Sequence, residues 1–489
     1  MTDVALAAPS EAAADAGEQV ATLGGNAVDA ALAATLVTMV NEVGLVSLSS
    51  GGFVTVQPTQ GRPYTVDGWM EMPGRGRQLG GGTWDIHTEY GGGVDITIGP
   101  GSVACHGSLL ALQEAHRRDG RLPWRDVVAP AVEVARGGFR LGSASRYYLE
   151  YVHESIFGWD DASRAVVHDE QGEVTTAPLV VPHLVESLQL IADEGADVMH
   201  RGELGRRVGE DVLGRGGILG PDDLAAYRPV VRPSLSTRIG PWTLATTPPP
   251  SVGGVCVAAM LRLLDDRPAD GWSPEDVEHL VAVQRGVLGH RLDVLDVAED
   301  VEAAARAFLE RVDASTLGAL ESGSTAHVSA SDSDGRACAV TVSSGYFSGM
   351  IADGTGIWLN NSLGEQELNA RGLHTLAPGT RLHSNMAPTV GRHTDGSVLA
   401  IGSPGASRIA TAIVQALAGF VSGGLGLQEA IHHPRVHVEH ARRPDEVVRR
   451  ETELSMYYGG VGAALAHTDG RLVAAADPRR DGAVRAVRR

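Results

Sequence analysis

The stretch GSTAHVSASDSDGRACAVTVSS, Gly323 to Ser344, decides how this chain folds. Its halves, TAHVSASD and RACAVTVSS, flank Ser333-Asp334-Gly335, and both alternate small apolar residues with polar ones. Period-two alternation marks half-buried strands, and an Asp-Gly pair between two such runs is a strong hairpin signal. A two-residue Asp334-Gly335 loop pairs Ser333 with Arg336 and sets Thr325 opposite Ser344; a register one residue different selects Ser343. Either way a second hydroxyl stands beside Thr325. Cross-strand Thr–Ser pairs are also ordinary sheet contacts, so the hairpin alone does not establish chemistry.

A threonine hydroxyl is a weak nucleophile without a base, and no His-Asp set surrounds this one in sequence. One solution is a chain that breaks before the threonine, so that the new α-amino group takes the hydroxyl proton. Such an amine titrates at about 7.7–8.0 and is partly neutral at physiological pH. Cleavage between Ser324 and Thr325 leaves the nucleophile at the head of a rigid strand.

Working outward, the 489 residues are 43% hydrophobic and 20% charged, which makes a globular chain with room for one large core or several. A formal charge of -20 repels phosphate backbones and anionic lipid, so neither nucleic acid nor membrane is expected as a partner. The chain has no lysine, which removes the phosphate-loop lysine, the pyridoxal Schiff base and the Ser-Lys dyad. Cys105, Cys256 and Cys338 are widely spaced, and each reads as a small core residue. The N-terminus lacks a basic-then-apolar leader, and Ile409–Val421 is too short to span a bilayer, so a cytoplasmic protein is expected.

NAVDAALAATLVTMVN, from Asn26, reads as a helix capped by Asn26 and buried on all faces. Strands are expected in SSGGFVTVQ, YTVDGWMEMP, GIWLNN and SVLAIGSPG. Helices are expected in GSLLALQEAHRRDG, WRDVVAPAVEVARGG, twice between Pro274 and Val312, and over Ile409–Val421. Strands, then helices, then strands point to a layered α+β or αββα architecture.

Taken in order, GGNAVDAALAA, SSGGFVTV, GPGSVACHGSLLALQEAHRRDG, PPPSVGG, TAHVSASDSDGRACAVTVSS, GTGIWLNN, HSNMAPT and GSPGASRI resemble the γ-glutamyltranspeptidases, which are N-terminal nucleophile hydrolases. The resemblance runs from about Leu23 to Arg479. It implies a four-layer αββα sandwich made as a precursor that cuts itself into a large subunit, 1–324, and a small one, 325–489. It further implies an acyl-enzyme on Thr325, released to water or an acceptor amine, with a small-molecule or peptide amide as substrate. Ser343 matches the family's second threonine, and Gly405 and Ala406 match its oxyanion hole. No cofactor is implied.

The recognition half departs from the family pattern. In DGWMEMP, Trp69 stands where the family holds a substrate carboxylate with arginine; Arg75 and Arg77 are the nearest replacements in sequence. Ser384 and Asn385 match the family's paired serines, so half of that pair remains. Ser362 replaces a longer polar or acidic residue, and Glu365 matches the acid that meets the substrate amine. The family's asparagine after the nucleophile strand has no clear counterpart in SSGYFSG. An acyl group other than γ-glutamyl is expected.

Three other readings compete. His432, His433, His437 and His440 with Glu439 gather in HHPRVHVEH, but without the spacing of a zinc or facial-triad site, and no metal is expected. A biosynthetic hydrolase of the same family, cleaving an amide or C–C bond, uses the same residues. A non-catalytic binding module on the same sandwich would have no need of Thr325, Ser343 and the Gly405-Ala406 turn together.

Overall fold

The computed structural model describes residues 2–90, 93–264, 267, 271–313, 325–365 and 368–488. Among them a seven-stranded and a six-stranded sheet lie face to face, with helices packed on both outer sides. The first sheet runs in the order Ala483–Val487, Val4–Ala8, Ala326–Asp332, Ala337–Ser343, Gly51–Gln57, Tyr64–Gly68, Val230–Pro233. The second runs Leu472–Ala476, Gly462–Ala466, Val398–Gly402, Thr389–His393, Trp242–Thr246, Leu235–Ile239. This is the αββα sandwich expected, and the N- and C-terminal strands both close its first sheet.

The opening hairpin forms the middle of that sheet, with Ala337 opposite Ser331 and Val342 opposite Ala326. The two-residue loop is not what forms. Asp332 pairs across to Arg336, and three residues, Ser333 to Gly335, make the turn, with Gly335 at φ +82°. The Asp332 carboxylate accepts the N–H groups of Asp334 (3.1 Å) and Arg336 (3.0 Å), which fixes the longer loop. A three-residue hairpin ending in a left-handed glycine is the next favoured solution after the two-residue turn. The slip moves the partner of Thr325 from Ser344 to Ser343.

Alternation along this strand sorts its faces. Ala326, Val328 and Ala330 join the core beneath the outer helices. His327, Ser329 and Ser331 face the other sheet, where the Ser329 and Ser331 hydroxyls donate to the carbonyls of Gly462 (3.1 Å) and Ala464 (2.8 Å). The layer between the sheets is otherwise mostly alanine and valine: Ala5, Ala245, Ala337, Ala339, Val390 and Ala400. Small side chains allow the sheets to approach closely enough for serine to reach a carbonyl opposite.

The helix Ala27–Asn41 covers the first sheet and is buried at every position. Asn26 caps it in a reciprocal box with Asp29, as its sequence predicts. The helices Ser108–Asp119 and Trp124–Gly137 lie on the same side of the molecule. Val252–Leu264, Pro274–His290, Val301–Val312 and Arg408–Val421 cover the second sheet. The GIWLNN stretch forms only a two-residue strand, Ile357–Trp358, before its asparagines turn inward. All three cysteines are buried and free.

Candidate active site

Thr325 immediately precedes the strand Ala326–Asp332 and is 4% exposed. Its predecessor Ser324, and with it the proposed cleavage bond, lies outside the described residues. Continuing the register one step from Val342–Ala326 sets Thr325 across from Ser343. Ser343 in turn pairs with Gly51, and continuing from Gly52–Gly68 brings Trp69 beside Gly51. The four residues form one row across four strands. At about 4.8 Å per strand, Trp69 stands roughly 14 Å along the sheet from Thr325. Gly51 lets the Trp69 ring pack down over the strand: a Cβ there would lie 2.8 Å from that ring.

The second sheet supplies the other wall. A Cβ on Gly402 would lie 2.3 Å from the His327 ring, so the end of Val398–Gly402 crosses over the start of the Thr325 strand. The loop leaving Gly402 therefore emerges at the edge where Thr325 stands. In that loop Gly405 and Ala406 both have positive φ, +116° and +66°. Their carbonyls turn to accept the N–H groups of Arg408 (3.0 Å) and Ile409 (3.1 Å), while their own N–H groups have no acceptor among the described residues. Two backbone donors without an acceptor, at the edge where Thr325 stands, can meet a developing negative charge on oxygen. His437, hydrogen-bonded to Ser407 (3.2 Å) and Thr411 (3.1 Å), pins the far side of the loop, and burial holds its ring neutral.

Beyond Ser343 the chain turns sharply. The Gly345 N–H donates to the Ser343 hydroxyl at 3.1 Å, and Gly345 has φ +63°. A Cβ there would lie 2.4 Å from Asn361 Oδ1 and 2.8 Å from Glu365 Oε1, which places Glu365 next to this turn. Asn361 Oδ1 accepts the Tyr346 N–H (2.6 Å), while its amide donates to the Thr97 carbonyl (3.2 Å). Asn360 is held on both ends, donating to the carbonyls of Ser49 and Ala104 and accepting from the N–H groups of Ala104 and Ser362. These asparagines carry the 360s loop against the turn that follows the strand Ala337–Ser343. Ser362 is fully buried, and its hydroxyl has no hydrogen-bond partner among the described residues.

Trp69 belongs to a different wall. Its indole N–H donates to the His383 carbonyl (2.8 Å), and its ring stacks on Phe53 at 6.2 Å. Ser384 follows His383, and its hydroxyl accepts the Met386 N–H (3.2 Å). Asn385 is 6% exposed, with its backbone carbonyl pressed against Gly253. The arginines nearest Trp69 are committed elsewhere. Arg75 pairs with Glu71 (3.2 Å) and Asp223 (3.5 Å), Arg77 with Asp223 (3.1 Å), and Arg381 with Glu71 (2.8 Å) and Asp67 (3.4 Å). A cavity of about 270 Å³ opens beyond His383, lined in part by Arg371, Arg381 and Asp296; Thr325 is not among its lining residues.

Sequence reasoning passed over His327. It lies two residues after Thr325 on the same face, bonded to Thr341 (2.8 Å) and Ser329 (2.7 Å), and burial drives its pKa down to about 3. The period-two pattern already placed it there. It also passed over the positioning roles of Asn360 and Asn361, although both stand in a quoted motif. The histidine cluster disperses: His437 faces the 403–407 loop, and Glu439 is paired with Arg449. Among the described residues no group of three or more His, Cys, Asp or Glu is arranged to hold a metal, and no helix is long and apolar enough to cross a membrane.

A two-sheet sandwich with a hydroxyl residue heading a central strand, and backbone donors at the same edge, defines the class of N-terminal nucleophile hydrolases. Within it the chain belongs to the γ-glutamyltranspeptidase family, whose model matches residues 13–487. It is 28% identical to the glutathione hydrolase proenzyme of Escherichia coli, over 93% of this chain and 87% of that protein. It is also 28% identical to the acylase ACY 1 proenzyme of a Pseudomonas species, strain V22, over 96% of this chain and 90% of that protein. In structure it resembles the cephalosporin acylase of Bacillus halodurans, with a TM-score of 0.80 at 20% identity, covering 99% of this chain and 96% of that one.

Proposed function

We propose that the protein is an autoprocessing amide hydrolase or acyltransferase that works through an acyl-enzyme on Thr325. The observation that carries this is the row Thr325–Ser343–Gly51–Trp69 facing the Gly405-Ala406 turn. In the processed enzyme the Thr325 α-amino group takes the hydroxyl proton as Oγ attacks the amide carbonyl. The Ser343 hydroxyl steadies the nucleophile's oxygen, and the two N–H groups of the turn meet the oxyanion. The same amine then protonates the leaving nitrogen, and water or an acceptor amine releases the acyl group. An oxyanion donor of this kind contributes about 3–4 kcal/mol to acyl transfer. The names of the relatives, hydrolase and acylase proenzymes, support both the reaction class and processing from a precursor.

The acyl specificity follows from the opposite wall. Trp69 closes that wall with a buried apolar ring in place of a cation, and Arg75, Arg77 and Arg381 are neutralised by carboxylates. Glu365, Ser362, Ser384 and Asn385 remain as the polar contacts, with Glu365 suited to a substrate amine. This favours an acylase over a glutathione hydrolase, and equally suits a biosynthetic hydrolase acting on an activated carbonyl.

The test is direct. Purified protein should run as two bands under denaturing conditions, with the smaller beginning at Thr325 by N-terminal sequencing; Thr325→Ala should remain one band and be inactive. Cleavage at another residue, or turnover by unprocessed protein, overturns the assignment. The processed enzyme's kcat/KM should rise with pH through the range of an α-amino group, about 7.7–8.0 for a free one.

A further inference from the structure

At the end of the sandwich away from Thr325, a cavity of about 600 Å³ is lined from both sheets. The strand Ala326–Asp332 sets the separation: its seven residues, at about 3.3 Å each, carry the hairpin turn roughly 23 Å from Thr325. Arg392, on the cavity wall, donates to the Gly335 carbonyl of that turn at 2.9 Å. Gln57 and Arg62 line the cavity from the first sheet, Thr243 and Leu244 from the second, and Pro233 and Ser234 where the chain crosses between them. A volume of this order holds a small organic ligand.

The charges on its wall are all of one sign. Arg62, Arg392 and His393 line it and no carboxylate does, in a chain of formal charge -20. Three other cavities mix the signs, with Asp296 beside Arg371 in one, Glu310 beside Arg306 in the next, and Glu133 beside Arg140 in the third. His393 is taken by Asp395 at 2.9 Å, and Asp395 also accepts the Ser397 N–H at 2.7 Å. The two arginines are not neutralised in this way.

Arg392 is half-buried and donates to three backbone carbonyls, those of Gly335, Pro58 (3.2 Å) and Gly396 (3.4 Å). These belong to three separate turns, so the guanidinium is held in place while its charge stays uncompensated. Its Nε–H and one Nη1–H have no acceptor among the described residues. Burial lowers its pKa, and no charged neighbour opposes that. Arg62 is exposed and has no ion pair among the described residues; Pro63 after it restricts its backbone to extended conformations. Thr243 is paired with Arg392 in the ladder, so the two side chains share a face.

We propose that this cavity binds a small organic oxyanion, a carboxylate or phosphate group on an apolar body. Arg392 and Arg62 meet the charge, the Thr243 hydroxyl adds a donor, and the body lies on Pro233, Pro241 and Leu244. Guanidinium groups match the planar oxygens of a carboxylate and the face of a phosphate, and one already fixed by three carbonyls loses little freedom on binding. The site stands apart from the active centre and does not depend on the reading of Thr325.

The probes are phenyl phosphate, benzoate and the neutral benzyl alcohol, titrated by calorimetry into the purified protein. At least one anion should bind tenfold or more tightly than the alcohol, and the tighter of the two identifies the head group. Arg62→Gln should weaken that anion severalfold. Ser236→Asp, at an exposed position on the same wall, sets a carboxylate against the ligand and should abolish the preference while leaving the fold intact. Arg392→Lys should keep part of the preference. Equal affinity of the wild type for anions and alcohol overturns the proposal. So does a preference that survives both Arg62→Gln and Ser236→Asp, because the anion is then held elsewhere.

Discussion

The Trp69 indole N–H donates to the His383 carbonyl at 2.8 Å, so the ring at the position where the sequence leads one to expect the family's arginine is fixed at both ends, by this bond and by Phe53. A fixed, 1%-exposed ring cannot swing aside to admit a neighbouring guanidinium. The arginine clamp expected of a transpeptidase has not been moved to Arg75 or Arg77, because both are held by Asp223.

A γ-glutamyl anilide should accordingly be turned over with a kcat/KM at least tenfold below that of an aromatic acyl anilide of similar size. The loss corresponds to one charge-assisted hydrogen bond of about 1.5–3 kcal/mol. Trp69→Ala should erase the aromatic preference and lower stability by about 3–5 kcal/mol, as for other buried aromatic truncations. A glutamyl substrate that wins by a hundredfold would show that Trp69 does not control the acyl group.

Gly345 holds the turn that joins Ser343 to Glu365. With φ +63°, an alanine there incurs left-handed strain of about 1–2 kcal/mol. Its Cβ also meets Asn361 Oδ1 at 2.4 Å and Glu365 Oε1 at 2.8 Å, so one of these side chains must shift. Gly345→Ala should lower the melting temperature by several degrees and raise KM for amine-bearing substrates more than for substrates without an amine. An equal rise for both would separate Glu365 from amine recognition.

Much of this was legible in the sequence where the signal is local. Asn26 and Asp29 cap their helix through bonds three residues apart, and the alternation in 326–332 assigns each side chain to its face. The hairpin register was not legible, because Asp-Gly serves both two- and three-residue loops. The decision lies with the Asp332 carboxylate, which also accepts the Ala27 N–H from the capped helix (3.0 Å). The row that sets Trp69 in line with Thr325 was not legible either, because its four strands come from distant parts of the chain and only the sheet's register aligns them.

His327 should set the acid limit of stability. Burial lowers its pKa to about 3, below the unfolded value of 6.5, so the folded state binds fewer protons between those values. Its contribution is complete above pH 6.5 and is lost as pH falls toward 3. Two pH units of this window amount to about 2.7 kcal/mol. Denaturation between pH 7 and pH 4.5 should show this slope, and His327→Gln should flatten it. The pH–rate profile should carry no inflection from His327, which is neutral throughout the working range.

Glu42 works in the opposite sense. It is 2% exposed at the end of the helix Ala27–Asn41, and burial raises its pKa from 4.5 to about 7, opposed by the Ser145 hydrogen bond and the charge of Arg480. The folded state holds a proton that the unfolded chain releases between those values, so the stability it contributes is full below pH 4.5 and falls as pH rises toward 7. The span is worth about 3 kcal/mol. Glu42→Gln keeps an acceptor for Ser145 without the buried charge. It should match the wild type at pH 4.5 and exceed it at pH 8 in chemical denaturation. Arg480→Gln, which withdraws the opposing charge, should deepen the wild-type loss at pH 8 and leave Glu42→Gln unaffected at that pH. A pH-independent difference between Glu42→Gln and the wild type would mean that the carboxyl stays ionised in the folded protein.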